Sequence, residues 1–307
     1  MPALVPAGET GHARSMEPTV TIALDARADL GEGPRWHGGE ARLYWVDIHR
    51  HELHRFDPAS GLDERRRFAA PIGCFAFRAT GGLLLAMKDG LALMDDWDAP
   101  PRPFGEPILA GDPDLRFNDG RTDPAGRFWA GTVNTAKSAR NAALYRVDPD
   151  GAIMPVETGM LTCNGAAFDA AGTAFRHADT PSHALRGYAV DPVRGTLSDR
   201  HIVHQFAQGE GRPDGGSFDA AGCYWSALFD GGRAVRLSPD GAILQTVALP
   251  ISRPTMIAFG GPDLRTAYVT SARAGLSDAD LAAQPHAGAI LSFRVETPGL
   301  PETPFGG

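Results

Sequence analysis

The chain has 307 residues and a formal net charge of −8, and 43% of its residues are hydrophobic. This composition excludes a disordered chain, and the acidic balance argues against a nucleic-acid partner, which needs a basic face. No apolar run reaches the about 18 residues of a membrane-spanning helix, so we expect no membrane contact. The three cysteines, Cys74, Cys163 and Cys223, form no CxxC pair. We therefore expect a cytoplasmic protein without disulfides.

A short pattern recurs along most of the chain, after a first segment, residues 1–18, that is predicted to be a flexible tail without a signal-peptide core. In each copy a glycine-rich turn precedes an apolar strand, usually with aromatic residues. The clearest turns begin at Asp123, Asp169 and Asp219, with spacings of 46 and 50 residues. Weaker copies begin at Trp36, Arg78 and Gly260. Six copies at this period are typical of β-propeller blades.

The repeats predict an all-β protein, a six-bladed β-propeller in which residues 19–307 form a single domain. One strand is predicted near the beginning, at 20–24, and one near the end, at 289–295. We expect the N-terminal strand to close the last blade, because an unclosed sheet edge favours aggregation. Residues 297–307 are predicted to be an irregular tail without a function.

Polar side chains stand five residues before the turn in four of the six copies. Equivalent positions of a closed repeat lie at the same height around its axis, so these four side chains are expected to converge. A single asparagine or aspartate there has an alternative explanation in turn chemistry, since Asn-Gly and Asp-Gly are common turns. Turn chemistry does not favour a glutamate at such a position. Two carboxylates and two carboxamides suit a hard divalent cation. The four residues are Glu32, Asn118, Asn164 and Asp214.

Three other signals are weaker. His51 and His54 resemble a zinc motif but lack its spacing and its helix, so a solvated strand is favoured. The sequence at 148–151 resembles the start of an EF-hand loop without the later ligands. His177, on the strand after Asn164, either faces the pocket and contacts substrate or is a satisfied core histidine.

Several motifs together resemble the family that groups senescence marker protein (regucalcin), gluconolactonase and luciferin-regenerating enzyme. The motifs are Leu-Gly-Glu-Gly-Pro-Arg-Trp at 30–36, Arg-Phe-Asn-Asp-Gly at 116–120, Asn-Gly at 164–165 and Pro-Asp-Gly at 213–215. The stretch 271–277 looks like bacterial sugar-acid lactonases in particular. The similarity runs from about residue 20 to about residue 296.

The resemblance implies one divalent cation on the propeller axis, with Ca²⁺ favoured and Zn²⁺, Mn²⁺ or Mg²⁺ as alternatives. It implies that Glu32, Asn164 and Asp214 are the metal ligands. The substrate contacts that it implies are Arg116 and Asn118, with Asp119 close by. Two departures concern the substrate rim. Residues 133–136 lack a carboxylate that some members carry, and Arg-His at 176–177 replaces the usual aromatic residue.

The resulting hypothesis is a gluconolactonase-like hydrolase of carboxylic ester bonds. It would open a sugar lactone, such as glucono-, xylono- or arabinonolactone, to the aldonic acid, with Asp214 as the general base. Two alternatives stay open: another metal-dependent esterase or organophosphate hydrolase, and a non-catalytic calcium-binding propeller. The expected partner is a small-molecule lactone, and the expected state is a monomer or a weak homo-oligomer.

Overall fold

The computed structural model describes residues 18–307, so the predicted tail at 1–18 lies outside the described residues except for Pro18. Its regular structure is almost all β. One 3-10 turn, Thr180–Ser182, and one α-helix, α1 (Asp278–Ala283), are the exceptions in the described part. No helix there is long and apolar enough to cross a membrane.

The strands are numbered in chain order. They are β1 (Thr21–Leu24), β2 (Gly31–His37), β3 (Arg42–Asp47), β4 (Glu52–Asp57), β5 (Leu62–Arg67), β6 (Ile72–Phe77), β7 (Leu83–Met87), β8 (Leu91–Met94), β9 (Arg102–Phe104), β10 (Leu115–Thr122), β11 (Phe128–Asn134), β12 (Ala142–Val147), β13 (Ile153–Met160), β14 (Cys163–Phe168), β15 (Ala174–Asp179), β16 (Ala184–Asp191), β17 (Thr196–Gln205), β18 (Arg212–Phe218), β19 (Tyr224–Phe229), β20 (Arg233–Leu237), β21 (Ile243–Ala248), β22 (Pro254–Gly260), β23 (Thr266–Ser271) and β24 (Ile290–Arg294).

These strands form six antiparallel sheets of four strands each. Five sheets use four consecutive strands, beginning at β2, β6, β10, β14 and β18, and the sixth has the order β1-β24-β23-β22. The first strands of neighbouring sheets contact one another around a closed ring, from β2 through β22 and back to β2. The prediction of a six-bladed β-propeller is confirmed. We number the blades 1 to 6 from the sheet that begins with β2.

The first and the last strand meet in blade 6. Strand β1 pairs antiparallel with β24, with Thr21 opposite Ser292 and Ile22 opposite Leu291. The hydroxyls of Thr21 and Ser292 also lie 2.9 Å apart. The N-terminal strand therefore completes the blade that the last three strands form, as the sequence predicted.

The recurring turn has a structural reason in its aspartate. The Asp123 carboxylate accepts hydrogen bonds from two backbone N–H groups of its own turn and from Trp129 Nε1, at 3.0 Å. Asp219 makes the same set of bonds, with Trp225 Nε1 at 3.2 Å. Each turn joins the first and second strands of a blade, so the aspartate fixes the turn and anchors a buried tryptophan behind it.

Large apolar side chains fill the spaces between neighbouring blades. Trp129 of blade 3 packs on Phe168 and Phe175 of blade 4, with ring centroids 5.3 and 5.6 Å apart. Trp225 of blade 5 packs in the same way on Phe259 of blade 6. The core is therefore spread around the ring between the blades, which leaves the axis itself to polar groups.

The C-terminal segment is irregular, as predicted, but it is built into the propeller. The strands nearest the axis are β2, β6, β10, β14, β18 and β22, and we call them the innermost strands. The C-terminal segment crosses the end of the ring at which these strands finish. Gly299 donates to the carbonyl of Leu264 in blade 6, and Phe305 donates to the carbonyl of Phe77 in blade 2. The Phe305 side chain is fully buried. This segment therefore covers one end of the axial channel.

Glu302 carries a charge into that covered end. Its carboxylate pairs with the guanidinium groups of Arg35, at 3.3 Å, and Arg121. Both arginines lie on innermost strands, and Arg35 is only 2% exposed. Burial raises the pKa of Glu302, but the two guanidinium groups outweigh that effect and hold the pKa below its usual value. One carboxylate thus compensates two buried cations.

We expect Glu302→Ala to destabilise the fold by about 3–5 kcal/mol, because it leaves two buried guanidinium groups without their carboxylate. Urea unfolding at pH 7 measures this change. Glu296→Ala is the matched control, since Glu296 is exposed directly before the same segment, and it should stay within about 0.5 kcal/mol of the parent. Equal losses in both variants would show that the ion pairs contribute nothing.

Candidate active site

Every innermost strand has a register shift near its beginning, at the end of the channel opposite Glu302. On β2, Gly33 and Pro34 together oppose Trp45, because the pairing moves from Glu32↔Val46 to Arg35↔Tyr44. The other five innermost strands shift in the same region. A bulge of this kind redirects a side chain. The four predicted axial residues stand at these bulges or directly before them, namely Glu32, Asn118, Asn164 and Asp214.

Glycines allow the bulged strands to approach one another closely. Gly165 has a φ of +67°, and a Cβ atom there would lie 2.5 Å from the Tyr224 hydroxyl and 3.0 Å from the Asp214 carbonyl. That hydroxyl donates a 2.8 Å hydrogen bond to the Gly165 carbonyl. A side chain at this position would therefore separate β14 from β18 and move two of the four axial residues apart.

A chain of hydrogen bonds links the site across three blades. Arg116 Nη1 donates to Asn118 Oδ1 at 2.8 Å, and Asn118 Nδ2 donates to Asn164 Oδ1 at 2.6 Å. Asn164 Nδ2 donates to Thr180 Oγ1 at 2.8 Å, and this hydroxyl donates to the Pro213 carbonyl at 2.9 Å. This series of hydrogen bonds ends at the residue before Asp214 on β18, so the structure brings together Arg116, both asparagines and the start of β18.

Two buried carboxylates lie in this site. Glu32 is 8% exposed and Asp214 is 4% exposed. Burial raises the pKa of Glu32 well above its usual value, and the nearby charges of Asp214 and Asp119 raise it further. Burial likewise raises the pKa of Asp214, with Asp119 as the next cause. Asp214 Oδ1 has no hydrogen-bond partner among the described residues. Two like charges are therefore held close together with too few partners.

Asp119 is placed as a link between strands. Its two carboxylate oxygens accept the backbone N–H groups of Gly120, at 2.7 Å, and Ala166, at 3.0 Å. Ala166 belongs to the bulge after Asn164, so the carboxylate joins β10 to β14. Burial raises the pKa of Asp119, and Arg35 and Arg121 oppose that shift. Its contact with substrate stays a prediction.

His177 lies on β15 opposite the bulge that follows Asn164, but its ring is in the packing between blades. Its ring stacks on Phe175 at 5.8 Å, and Phe175 packs on Trp129 of blade 3. The side chain is fully buried, and neither ring nitrogen has a hydrogen-bond partner in the described part of the chain. It is therefore neither hydrogen-bonded to the axial residues nor a satisfied core histidine. Its contact with substrate stays a prediction that no hydrogen bond supports.

The donor set fits a hard divalent cation. Glu32 and Asp214 supply carboxylate oxygens, and Asn164 Oδ1 accepts one hydrogen bond and retains a second lone pair. A cation would compensate the two repelling carboxylates and give the unpartnered Asp214 oxygen a ligand. Within residues 18–307 no group of three His, Cys, Asp or Glu side chains is arranged to hold a metal. The predicted set has a carboxamide as its third donor.

Sequence reasoning missed Lys137, which lies on the loop after β11. Its Nζ donates to Thr162 Oγ1, two residues before Asn164. Burial lowers the pKa of Lys137 to about 8, and the neighbouring Arg116 adds to that shift while Asp214 opposes it. Lys137 directly follows the stretch 133–136, where the motif departs from the related family. The missing carboxylate at 133–136 was the one sequence signal that could have pointed to this loop. Thr180 was also missed, and no sequence pattern marked it.

Comparison with known proteins agrees with this architecture. The family model described as SMP-30/Gluconolactonase/LRE-like region matches residues 30–273. The chain belongs to this family. This match to the SMP-30/gluconolactonase family confirms the resemblance that the sequence motifs indicated. The resemblance covers the site residues from Glu32 to Asp214.

Relatives match along nearly their whole length. The chain is 42% identical to the 6-deoxy-6-sulfogluconolactonase of Pseudomonas putida, with 95% of this chain and 100% of the relative covered. It is 36% identical to a pentonolactonase of Haloferax volcanii, with 92% and 97% covered. Among solved structures, a regucalcin of Agrobacterium tumefaciens, described as a calcium-binding protein, aligns with a TM-score of 0.89 at 26% identity, covering 94% and 97%.

The isolated position of His177 predicts a specific dependence of stability on pH. Burial lowers its pKa from 6.5 to about 3, and Arg186 adds to the shift. Below pH 6.5 the unfolded chain therefore binds a proton at this histidine, whereas the folded chain does not until the pH approaches 3. The free energy of unfolding consequently falls as the pH decreases from 6.5 toward 3. His177→Phe should reduce the loss of urea resistance between pH 7.5 and pH 5. The exposed His286→Gln is the control, and an equal loss in both variants would contradict this account.

Proposed function

We propose that this protein hydrolyses a sugar lactone to the corresponding aldonic acid, with a divalent cation held at the beginning of the innermost strands. The observation that carries the proposal is the Asp214 carboxylate. It is buried beside Glu32, and one of its oxygens has no hydrogen-bond partner in the described chain. A buried charge without a partner is costly. Such a group is retained where binding or chemistry requires it.

Glu32, Asn164 and Asp214 would hold the cation. All three present oxygen atoms, which favours Ca²⁺, with Mn²⁺, Mg²⁺ and Zn²⁺ as the alternatives. When bound, the cation would supply a Lewis acid that polarises the lactone carbonyl. The description of the Agrobacterium regucalcin as calcium-binding supports Ca²⁺.

Residues of the chain itself transfer the proton and orient the lactone. Asp214 accepts a proton from the attacking water while the water oxygen bonds to the carbonyl carbon of the lactone. The same carboxyl then donates the proton to the ring oxygen as the bond between carbonyl carbon and ring oxygen breaks. Arg116 and Asn118 orient the lactone, and their mutual hydrogen bond of 2.8 Å holds both groups in place. The product is the open-chain acid.

The relatives support this reaction class. One is named a sulfogluconolactonase and another a pentonolactonase, and lactonases act on carboxylic ester bonds. These names support a sugar lactone as the small-molecule partner, with lactones of five- or six-carbon sugar acids as candidates. We also assign the reaction to the cytoplasm, since Cys74, Cys163 and Cys223 are buried free thiols.

Removal of the cation should change which variant is more stable. In chelator, Asp214→Asn should melt at a higher temperature than the parent, because it removes one of two buried like charges. With Ca²⁺ at 100 times its dissociation constant, the parent should gain about 2.7 kcal/mol, or roughly 5 °C, and the variant much less. Thermal unfolding measures both effects. Asp199→Asn, at an exposed position, should behave as the parent; a Ca²⁺ response of Asp214→Asn equal to that of the parent would contradict the ligand assignment.

Lactone opening is the direct test of the function. Acid release from pentono- and hexonolactones is followed on chelated protein, with Ca²⁺, Mn²⁺ and Zn²⁺ returned singly. We expect turnover that requires a cation and that Asp214→Asn lowers by about 10²–10⁴-fold.

The same assay separates the alternatives. Turnover of phosphate triesters without turnover of any lactone would favour the organophosphate hydrolase. Cation binding without turnover of either class would favour a non-catalytic calcium-binding propeller. Lactone turnover that is unchanged by chelation would overturn the metal-dependent mechanism.

A further inference from the structure

Lys137 is unusual for this chain. The sequence holds 29 basic residues, and only Lys88 and Lys137 among them are lysines. Lys137 occupies the loop between β11 and β12 with a φ of +55°, a left-handed conformation that a residue other than glycine adopts at a cost. Its ammonium group nevertheless points inward, since Nζ donates to Thr162 Oγ1.

The loop that carries Lys137 is tied to the site. Asn134 at its beginning donates to the Leu161 carbonyl at 3.0 Å, and Val133 forms a bridge with Thr162. Thr162 in turn accepts a backbone hydrogen bond from Thr180, the residue that binds the Asn164 amide. The ammonium group is therefore anchored to the same backbone segment that positions a proposed cation ligand.

Most charges near the axis are compensated. Arg35 and Arg121 are opposed by Glu302 and Asp119. On the Lys137 loop, Arg140 pairs with Asp179.

Two cations at the open end have carboxylates nearby, Glu32 for Arg116 and Asp214 for Lys137, but form no direct ion pair with them. Arg116 and Lys137 have no carboxylate within 4.0 Å among the described residues; Arg116 donates only to a carbonyl and to the Asn118 amide. A divalent cation on Glu32 and Asp214 would neutralise both of those carboxylates. This end of the channel, which we call the mouth, would then hold two positive charges without a direct ion pair among residues 18–307, in a protein whose net charge is −8.

We propose that Lys137, together with Arg116, selects lactones that carry an anionic substituent away from the ring ester: a sulfonate, a phosphate or a carboxylate. This inference rests on the proposed lactonase function and extends it to the class of substrate. An ammonium group with three donors binds such an anion without demanding one geometry. A negatively charged chain repels anions, and a local pair of cations overcomes that repulsion at the mouth.

The test compares matched lactones. D-glucono-1,5-lactone is measured against the same lactone with a phosphate, a sulfonate or a carboxylate at carbon 6, on the Ca²⁺-loaded full chain. We expect kcat/KM to be higher for at least one anionic lactone than for the neutral one. Lys137→Met should lower the ratio of anionic to neutral kcat/KM by about tenfold or more, through KM, as expected for a lost charge-assisted contact. Lys137→Arg should restore most of the ratio.

The control for charge alone is Arg67→Gln. Arg67 is exposed on the outermost strand β5 of blade 1, so this variant makes the same change in net charge away from the axis. Its ratio should equal that of the parent. A ratio unchanged by Lys137→Met, or lowered equally by Arg67→Gln, would overturn the proposal. The three anionic lactones show which anion the mouth prefers.

A binding measurement separates this proposal from the proposed function. Amine-reactive labelling of Lys137 is followed by mass spectrometry, with Lys88 as the internal control in the same chain. The probe is 6-phosphogluconate, with gluconate as its comparison. Slower labelling of Lys137 but not of Lys88, and more so with the phosphorylated acid, would support the anion site even if no lactone were opened. Equal labelling of Lys137 with and without either acid would overturn it.

Discussion

The structure depends on the burial of polar groups around one axis. Six innermost strands begin around a common channel, and the bulge near the beginning of each strand turns side chains toward it. The apolar side chains are used between the blades, so the axis receives groups that apolar packing cannot satisfy. Each of these groups needs a hydrogen bond, an opposite charge or a bound ion, because desolvation of a charge without compensation is costly.

The two ends of the channel meet this requirement in different ways. At the covered end, the C-terminal segment supplies Glu302, which compensates Arg35 and Arg121 from within the chain. At the open end, Glu32 and Asp214 form no ion pair with any of the residues that the structure describes. Burial raises the pKa of both, although Arg116 opposes that shift at Glu32 and Arg212 and Lys137 oppose it at Asp214. One end is thus satisfied by the protein itself, and at the other the proposed cation would supply the missing charge compensation. This contrast explains why the candidate site lies at the beginning of the strands.

The sequence predicted much of this because the protein repeats itself. The aspartate turns at Asp123, Asp169 and Asp219 mark the same point of three blades, and together with the three weaker copies they indicated six blades. Counting back from those turns found the axial residues, because equivalent positions of a ring face the same volume. His177 and Lys137 have no counterpart in the repeat. His177 shares a face of its strand with Phe175, and only the packing of neighbouring blades showed that this face lies between the sheets.

The sequence by itself determined the six blades, the pairing of β1 with β24, and the polar positions around the axis. These positions are Glu32, Asn118, Asn164 and Asp214. The blades and the polar positions follow from a local pattern that recurs along the chain, and the pairing follows from the strand predicted at each end of the repeat. Only the tertiary structure decided that the C-terminal segment covers the channel and that Lys137 reaches the mouth beside Arg116. Those contacts join residues that are distant along the chain. Whether a buried charge such as that of Glu302 or Lys137 meets an opposite charge therefore depends on neighbours that no local sequence pattern specifies.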